Sequence, residues 1–289
     1  MTLPTEDTRV LYPSGAVDTQ ATVLHSEKLP DGRFAVLLDR TTVHPVDAGW
    51  PDQGPDQALL YHGAAFWPVE DCIVGATDGS TLFIGDDIPV AKGTPGWAFV
   101  VVHVVDAAGL SAGDTVTVEV DEDSRVATSA GHTACHLASL ALNGALANRW
   151  KKEVRADGLG QPDFDGLAID ESLIGPNASV DTYRLGKSLR KKGFVVDDFA
   201  EALVSIEATV NATLAAWTTT DAAVRIECDG DLLTDRRYWV CELPGHSVRI
   251  PCGGTHVDSL GQLGAAAVTL ALHDQGGTNV LTMNTSASR

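Results

Sequence analysis

Two hydrophobic rhythms divide the chain. Up to about residue 121, apolar residues come in short runs or alternate with polar ones, the period of β-strands. Phe34-Ala35-Val36-Leu37-Leu38 follows the turn signal Pro30-Asp31-Gly32, and Leu82-Phe83-Ile84 follows Asp78-Gly79, a hairpin-type dipeptide. Trp97 to Val105 is dense in valine and aromatics, as a buried strand requires. Val116, Val118 and Val120 alternate with Thr117 and Glu119, as in a half-buried strand. No helical period lasts three turns in this half, which predicts an all-β module, a small barrel. One stretch breaks the rhythm. Val43 to Gln57 contains Pro45, Pro51, Pro55, Gly49, Gly54 and three aspartates, so it reads as a loop. It also carries His44 and Trp50, which fit either a rigid surface loop packed by its tryptophan or one wall of a site.

The second rhythm starts near Ser129. From His132 to about Trp150, Leu137, Leu140, Ala141, Gly144 and Ala147 fall on one helical face, with Ser129 in place to cap it. Residues 157–180 read as loop and short strands. Asp198 to Trp217 is the clearest helix. Phe199, Leu203, Ile206, Val210, Leu214 and Trp217 step by three or four, with Asp197 or Asp198 at the cap. Short strands follow at 223–228, 239–243, 265–272 and 280–283. The pattern predicts an α+β protein, with a β-barrel domain over residues 1–125 and an α+β domain over 126–289. No internal repeat is present.

Composition adds limits. The 289 residues are 44% hydrophobic and 20% charged, a globular balance. Met1 to Asp7 lacks the basic and apolar regions of a secretion signal, and no run of about 18 apolar residues is present for a membrane span. Five scattered cysteines, an odd number, suit a reduced cytoplasmic chain better than a disulfide framework. The net charge of −19 argues against nucleic acid as a partner, but its distribution softens that argument. Nine of the twenty Lys and Arg residues lie between 149 and 192, among only seven acids. That segment is a candidate phosphate-binding face or an ordinary solvated one.

The residues that carry chemistry sit in two short stretches. His132-Thr133-Ala134-Cys135-His136 holds two imidazoles four apart, roughly 5–6 Å between Cβ atoms on one helical face. Cys252-Gly253-Gly254-Thr255-His256 has the same spacing, but its glycines and Pro251 exclude a helix. Each motif alone fits packed or surface residues. Together they offer three imidazoles and a thiolate, a donor set that suits tetrahedral Zn2+, with one pair from a helix and one from a strand end. The glutamate of a zincin protease is missing.

These two motifs, with Asp39-Arg40-Thr41-Thr42, Asp121, Arg125 and Gly261-Gln262-Leu263-Gly264, resemble the editing domain of alanyl-tRNA synthetases and the free-standing AlaX-type proteins. The threonyl-tRNA synthetase editing domain is a more distant likeness. The resemblance covers most of the chain. It implies a small β-barrel joined to an α+β editing domain, and hydrolysis of the ester between a wrong amino acid and tRNA, in trans. It carries the metal ligands onto His132, His136, Cys252 and His256. The family's loop is close to Gly-Gly-Gly-Gln, where this chain reads Asp47-Ala48-Gly49-Trp50. Asp47, Gly49, Trp50 and Thr255 are therefore expected at the substrate. The resemblance implies a Ser- or Thr-like amino acid, and the altered loop points away from serine to threonine or an analogue such as fluorothreonine. His44 is the expected base, and Thr133 is expected to orient substrate or water. Arg149, Lys151, Lys152, Lys187, Arg190 and Lys191 are the expected tRNA contacts. Two other readings suit the same residues: a zinc hydrolase of small esters or amides, and a non-catalytic tRNA-binding accessory protein.

Overall fold

The computed structural model describes residues 2–288, which form two compact units. One unit contains the chain up to Arg125 together with Ile226–Arg237 and Gly253–Thr255; the other contains Val126–Arg225, Tyr238–Cys252 and the chain from His256 onward.

The first unit is built from strands: β1 (Arg9–Val10), β2 (Asp18–Lys28), β3 (Phe34–Leu38), β4 (Arg40–Thr41), β5 (Ala58–His62), β6 (Ala65–Val69), β7 (Asp71–Thr77), β8 (Leu82–Ile84), β9 (Ala98–Val105) and β10 (Thr115–Val120). β1 and β4 form a short parallel pair. The rest make one antiparallel sheet in the order β6-β5-β10-β2-β3-β9-β7-β8. β2 holds this sheet together: its first half pairs with β10 and its second with β3, and the register shifts between Val23 and His25. Such a bulge bends a strand and increases its twist. The sheet curls until Glu70, which links β6 to β7, donates its N–H to Val104 O of β9 at 2.8 Å. The result is an eight-stranded half-barrel with β6 and β8 at its edges, where the sequence led us to expect a small barrel. β9 is buried on both faces. Phe99, Val101 and Val105 enter the main core with Leu60, Val116 and Val118, while Val100, Val102 and Val104 pack with Leu3, Ala35 and Leu37 on the other side. This explains why its sequence is apolar throughout.

The helix that carries the histidine pair, α1 (Glu122–Ala145), begins ten residues earlier than the apolar pattern indicates. Ser129 lies in its interior and is not the cap. The cap is Asp121, whose Oδ1 accepts from Ser124 N at 2.9 Å, and Glu122 and Asp123 place negative charge in the first turn. Gly131 serves packing in the middle of α1. A Cβ there would stand 2.2 Å from Gly175 O and 2.6 Å from Ala178 O. Those atoms belong to the turn between β11 (Ile169–Gly175) and β12 (Ala178–Arg184), which α2 (Phe164–Ala168) precedes. Asn177 in this turn adopts a left-handed conformation, φ +55°, and donates its N–H to Ala127 O of α1.

After α3 (Lys187–Lys191) comes α4 (Phe199–Thr218), where the sequence placed it. Asp198 occupies its N-cap position at φ +54° but makes no capping hydrogen bond; its carboxylate meets Arg149 instead. β13 (Val224–Cys228), β14 (Arg237–Leu243) and β15 (His246–Pro251) follow, β14 and β15 as a hairpin. β16 (Ala265–Gln275) and β17 (Thr278–Ser288) join at Gly276-Gly277, both with positive φ, and complete a sheet ordered β11-β12-β17-β16. β16 is an edge strand that α4 covers. Asn211 exchanges two hydrogen bonds with the Val268 backbone, and Glu207, one turn earlier, accepts from Leu270 N. Side chains at i and i+4 thus satisfy an edge that would otherwise invite pairing.

Candidate metal centre

α1 presents His132 and His136 one turn apart, and the end of β15 leads into Cys252 and His256. The structure brings all four together within the second unit, with their ligand atoms within 4.8 Å of one another. Cys252 Sγ lies 3.5 Å from His132 Nε2 and 3.2 Å from His256 Nε2. Zinc–sulfur and zinc–nitrogen bonds in a tetrahedral site put neighbouring donors about 3.5 Å apart, so these separations suit one ion. An independent sign is His136 Nε2, which is buried and has no hydrogen-bond partner. An orphaned buried nitrogen is costly unless something binds it. The donor set and this orphan both fit a zinc-like cation.

The rings are held from behind. Thr133 Oγ1 meets His256 Nδ1 at 3.1 Å and accepts from Val257 N at 3.3 Å, which fixes the ring so that Nε2 faces Cys252. Thr133 is thus placed to act through His256. The fully buried Trp239 of β14 stacks on His136, centroids 5.0 Å apart and planes at 26°. Burial lowers the His136 pKa to about 4, which keeps the ring neutral, as a ligand must be. Next to the ligands, Cys135 points elsewhere. Its thiol donates to Asp181, which also accepts from Ser172 and Ser179, and burial pushes the thiol pKa up.

The proline- and glycine-rich loop belongs to the first unit, and a buried ion pair closes it. The Arg125 guanidinium forks onto Asp56, with Nε to Oδ1 at 2.8 Å, while its Nη2 reaches Thr42 O at 2.7 Å. Asp56 also accepts from His44 N, so both ends of the loop share one carboxylate. Of the expected substrate residues, Asp47 pairs with Lys92 at 3.0 Å and accepts from Gly49 N. Trp50 is 61% exposed and donates to Asp52, so it does not pack the loop down. The loop's anchoring amide is Gln53. It is buried, its Nε2 donates to Thr255 Oγ1 and its Oε1 accepts from Thr255 N, each at 3.0 Å. Thr255 is the residue before His256 in the chain. His44 is buried, and that burial lowers its pKa to about 4. It packs edge-on against Tyr12 at 5.0 Å.

The expected tRNA contacts divide into two groups. Arg149 is built into the fold: it bonds to the carbonyls of Val195 and Asp197 and to Asp198, and lies over the Phe199 ring. Lys151, Lys152, Lys187, Arg190 and Lys191 are exposed. Lys151 N bonds to Gly193 O and Lys152 Nζ to Lys191 O, which gathers two distant segments into one cluster. None of these five cations has a carboxylate ion-pair partner among the described residues.

Sequence reasoning did not single out Gln53 or Trp239, for which spacing alone carries no signal.

Among the described residues, no helix is long and apolar enough to cross a membrane. No family model matches the chain. It is 27% identical over 246 residues to a protein named alanine–tRNA ligase from Delftia acidovorans, covering 82% of this chain and 23% of that protein. A chloroplastic/mitochondrial alanine–tRNA ligase from Ostreococcus lucimarinus is 28% identical over 82% of this chain and 22% of its own length. One from Synechococcus is 31% identical over 55% of this chain and 16% of its own. The chain is thus similar to alanine–tRNA ligases over much of its length, while spanning less than a quarter of theirs.

Proposed function

We propose that this protein is a zinc-dependent deacylase of the cytoplasm, which acts in trans on a tRNA mischarged with a small Ser- or Thr-like amino acid, fluorothreonine among the candidates. The observation that carries the reading is the four-donor cluster of His132, His136, Cys252 and His256, with its unpartnered buried nitrogen, in a chain similar to alanine–tRNA ligases. In the reaction, the oxygen of a water adds to the ester carbonyl, the bond to the ribose oxygen breaks, and the ribose hydroxyl leaves with a proton.

His132, His136, Cys252 and His256 hold the metal. Bound there, zinc supplies a Lewis acid for the amino or carbonyl end of the aminoacyl group. Thr133 and Trp239 keep the ligand rings in place, which preserves the site's geometry between turnovers. Gln53 fixes the backbone of Thr255. Asp47, Gly49, Trp50 and Thr255 are the residues we assign to recognition of the amino acid. Lys151, Lys152, Lys187, Arg190 and Lys191 offer the tRNA backbone an unpaired basic face on an otherwise acidic protein, so binding weakens as salt rises.

Metal analysis of the purified protein tests the site. One zinc per chain is expected, lost in Cys252→Ala and in His136→Ala; full zinc in both variants would overturn it. Reversing charge in Lys187→Glu/Lys191→Glu should weaken tRNA binding at least tenfold and flatten its salt dependence. Salt-insensitive binding that survives this change would remove the basic face from the reading.

A further inference from the structure

The second unit contains a groove that the four metal-ligand candidates do not line. It runs between α1 and α4 in two stretches, of about 420 Å3 and about 400 Å3, which share Ala145 and Thr209 in their walls. The first is lined mainly by Leu140, Leu159, Trp217 and Leu243, with Gln161 and His246. Among the described residues, no carboxylate, lysine or arginine lines it, in a chain with 39 acids. The second stretch ends at Asn148 and Arg149, where Arg149 already neutralises Asp198. Lys151 and Lys152 follow Arg149 within about 11 Å of chain. Lys152 Nζ reaches Lys191 O, so the exposed basic cluster stands at that end of the groove.

The neutral stretch is held in shape. Asp157 Oδ1 accepts from Leu159 N and Gln161 N, each at 2.8 Å, while its Oδ2 accepts from Asn143 of α1 at 3.0 Å. The loop that presents Leu159 and Gln161 is thus tied to the helix. Pro244-Gly245, with Gly245 at φ +80°, turns β14 into β15 and pairs Leu243 with His246. Thr209 and Thr213 give their hydroxyls to carbonyls of α4 itself. Polar contacts in this stretch therefore fall to the Gln161 amide, the Trp217 indole N–H and the His246 ring. Among the described residues, these three side chains have no hydrogen-bond or ring partner. Gly144 leaves the wall open: a Cβ there would meet no atom within 4 Å, so packing does not require a residue that weakens a helix.

A ring for stacking, an amide that both donates and accepts, and positive charge at one end of the same groove are what a single strand of nucleic acid needs. Resting on the tRNA reading above, we propose that this groove binds an unpaired segment of the tRNA. One base lies in the neutral stretch against Trp217, with the Gln161 amide at its edge, and the adjoining phosphates run towards Lys151 and Lys152. The volume of the neutral stretch lies in the range of about 300–1,000 Å3 usual for clefts that hold small ligands, so a whole nucleoside fits.

The test measures binding by fluorescence anisotropy with three probes: deacylated tRNA, a single-stranded RNA dodecamer, and an abasic dodecamer that keeps ribose and phosphate without bases. The wild type should bind the base-bearing strand about tenfold more tightly than the abasic one. Trp217→Ala, and Gly144→Leu, which fills the groove, should each weaken tRNA binding about tenfold. Neither should change the slope of binding against salt, because no phosphate contact is lost. Unfolding midpoints and zinc content show whether the variants keep the fold and the metal. Wild-type tRNA affinity in a folded Trp217→Ala protein, or equal binding of the two dodecamers by the wild type, overturns the groove and leaves the deacylase reading intact. AMP bound as tightly as the tRNA also overturns it, in favour of a free nucleotide. A wild type that neither binds tRNA nor hydrolyses any aminoacyl-tRNA overturns both.

Discussion

Gln53 and Gly131 each hold a segment that leads directly into a metal-ligand candidate, His256 and His132. Gln53 spends its whole side-chain amide on Thr255, one bond in each direction. Each bond contributes about 1 kcal/mol, so Gln53→Ala should cost roughly 2 kcal/mol in urea unfolding and lower the deacylation rate without removing the metal. An unchanged unfolding midpoint would mean that the amide holds nothing. Gly131 allows α1 to touch the β11–β12 turn one residue before His132. Gly131→Ala would drive a methyl into two carbonyl oxygens. Overpacking of this kind costs about 1–3 kcal/mol, so the variant should melt at a lower temperature. Wild-type melting would show that the turn yields freely.

Among the elements, α1 matters most, because it carries half of the donors. Asp121 caps it, and Asp121→Ala should destabilise the protein by about 1 kcal/mol in chemical denaturation. The elements also show what the sequence can and cannot reveal. α4 was legible because its apolar stripe keeps one helical period to the end. β9 was legible because burial on both faces makes it apolar throughout. The start of α1 was not, since residues 122–131 are polar or small, and their helix rests on a cap and on contact with a distant turn. β2 was hidden by its mixed polarity and its bulge. The β16–β17 hairpin was half legible: its apolar segments were found, but Gln275-Gly276-Gly277-Thr278 was not read as the turn that Gly-Gly supplies. The donor cluster was legible because metal chemistry restricts which residues serve and how they are spaced. The loop's anchor was not legible, because it is a single amide, and only hydrogen bonds reveal which residue supplies it.

At the scale of the whole molecule, buried histidines make stability depend on pH. Burial lowers the pKa of both His44 and His103 to about 4 from an ordinary 6.5. Between those values the unfolded chain takes up protons that the folded chain refuses. Their contribution is therefore complete above pH 6.5 and lost as pH falls towards 4, by roughly 3 kcal/mol per residue at most. Asp165 has the opposite sign. Burial raises its pKa to about 7, so its contribution is complete below the ordinary carboxylate range and lost as pH rises through 7. The unfolding free energy should thus fall below pH 6, and His103→Gln should make that fall shallower. An equally steep fall in this variant would assign it to other groups. The proposed function depends on chemistry at the donor cluster. The most direct measurement is the release of labelled amino acid from a panel of aminoacyl-tRNAs, seryl and threonyl included, by the purified protein before and after chelation of its metal. At least one ester should be cleaved well above its spontaneous rate, chelation should abolish the excess, and added zinc should restore it. Spontaneous rates across the panel, with zinc bound, would contradict the proposed function.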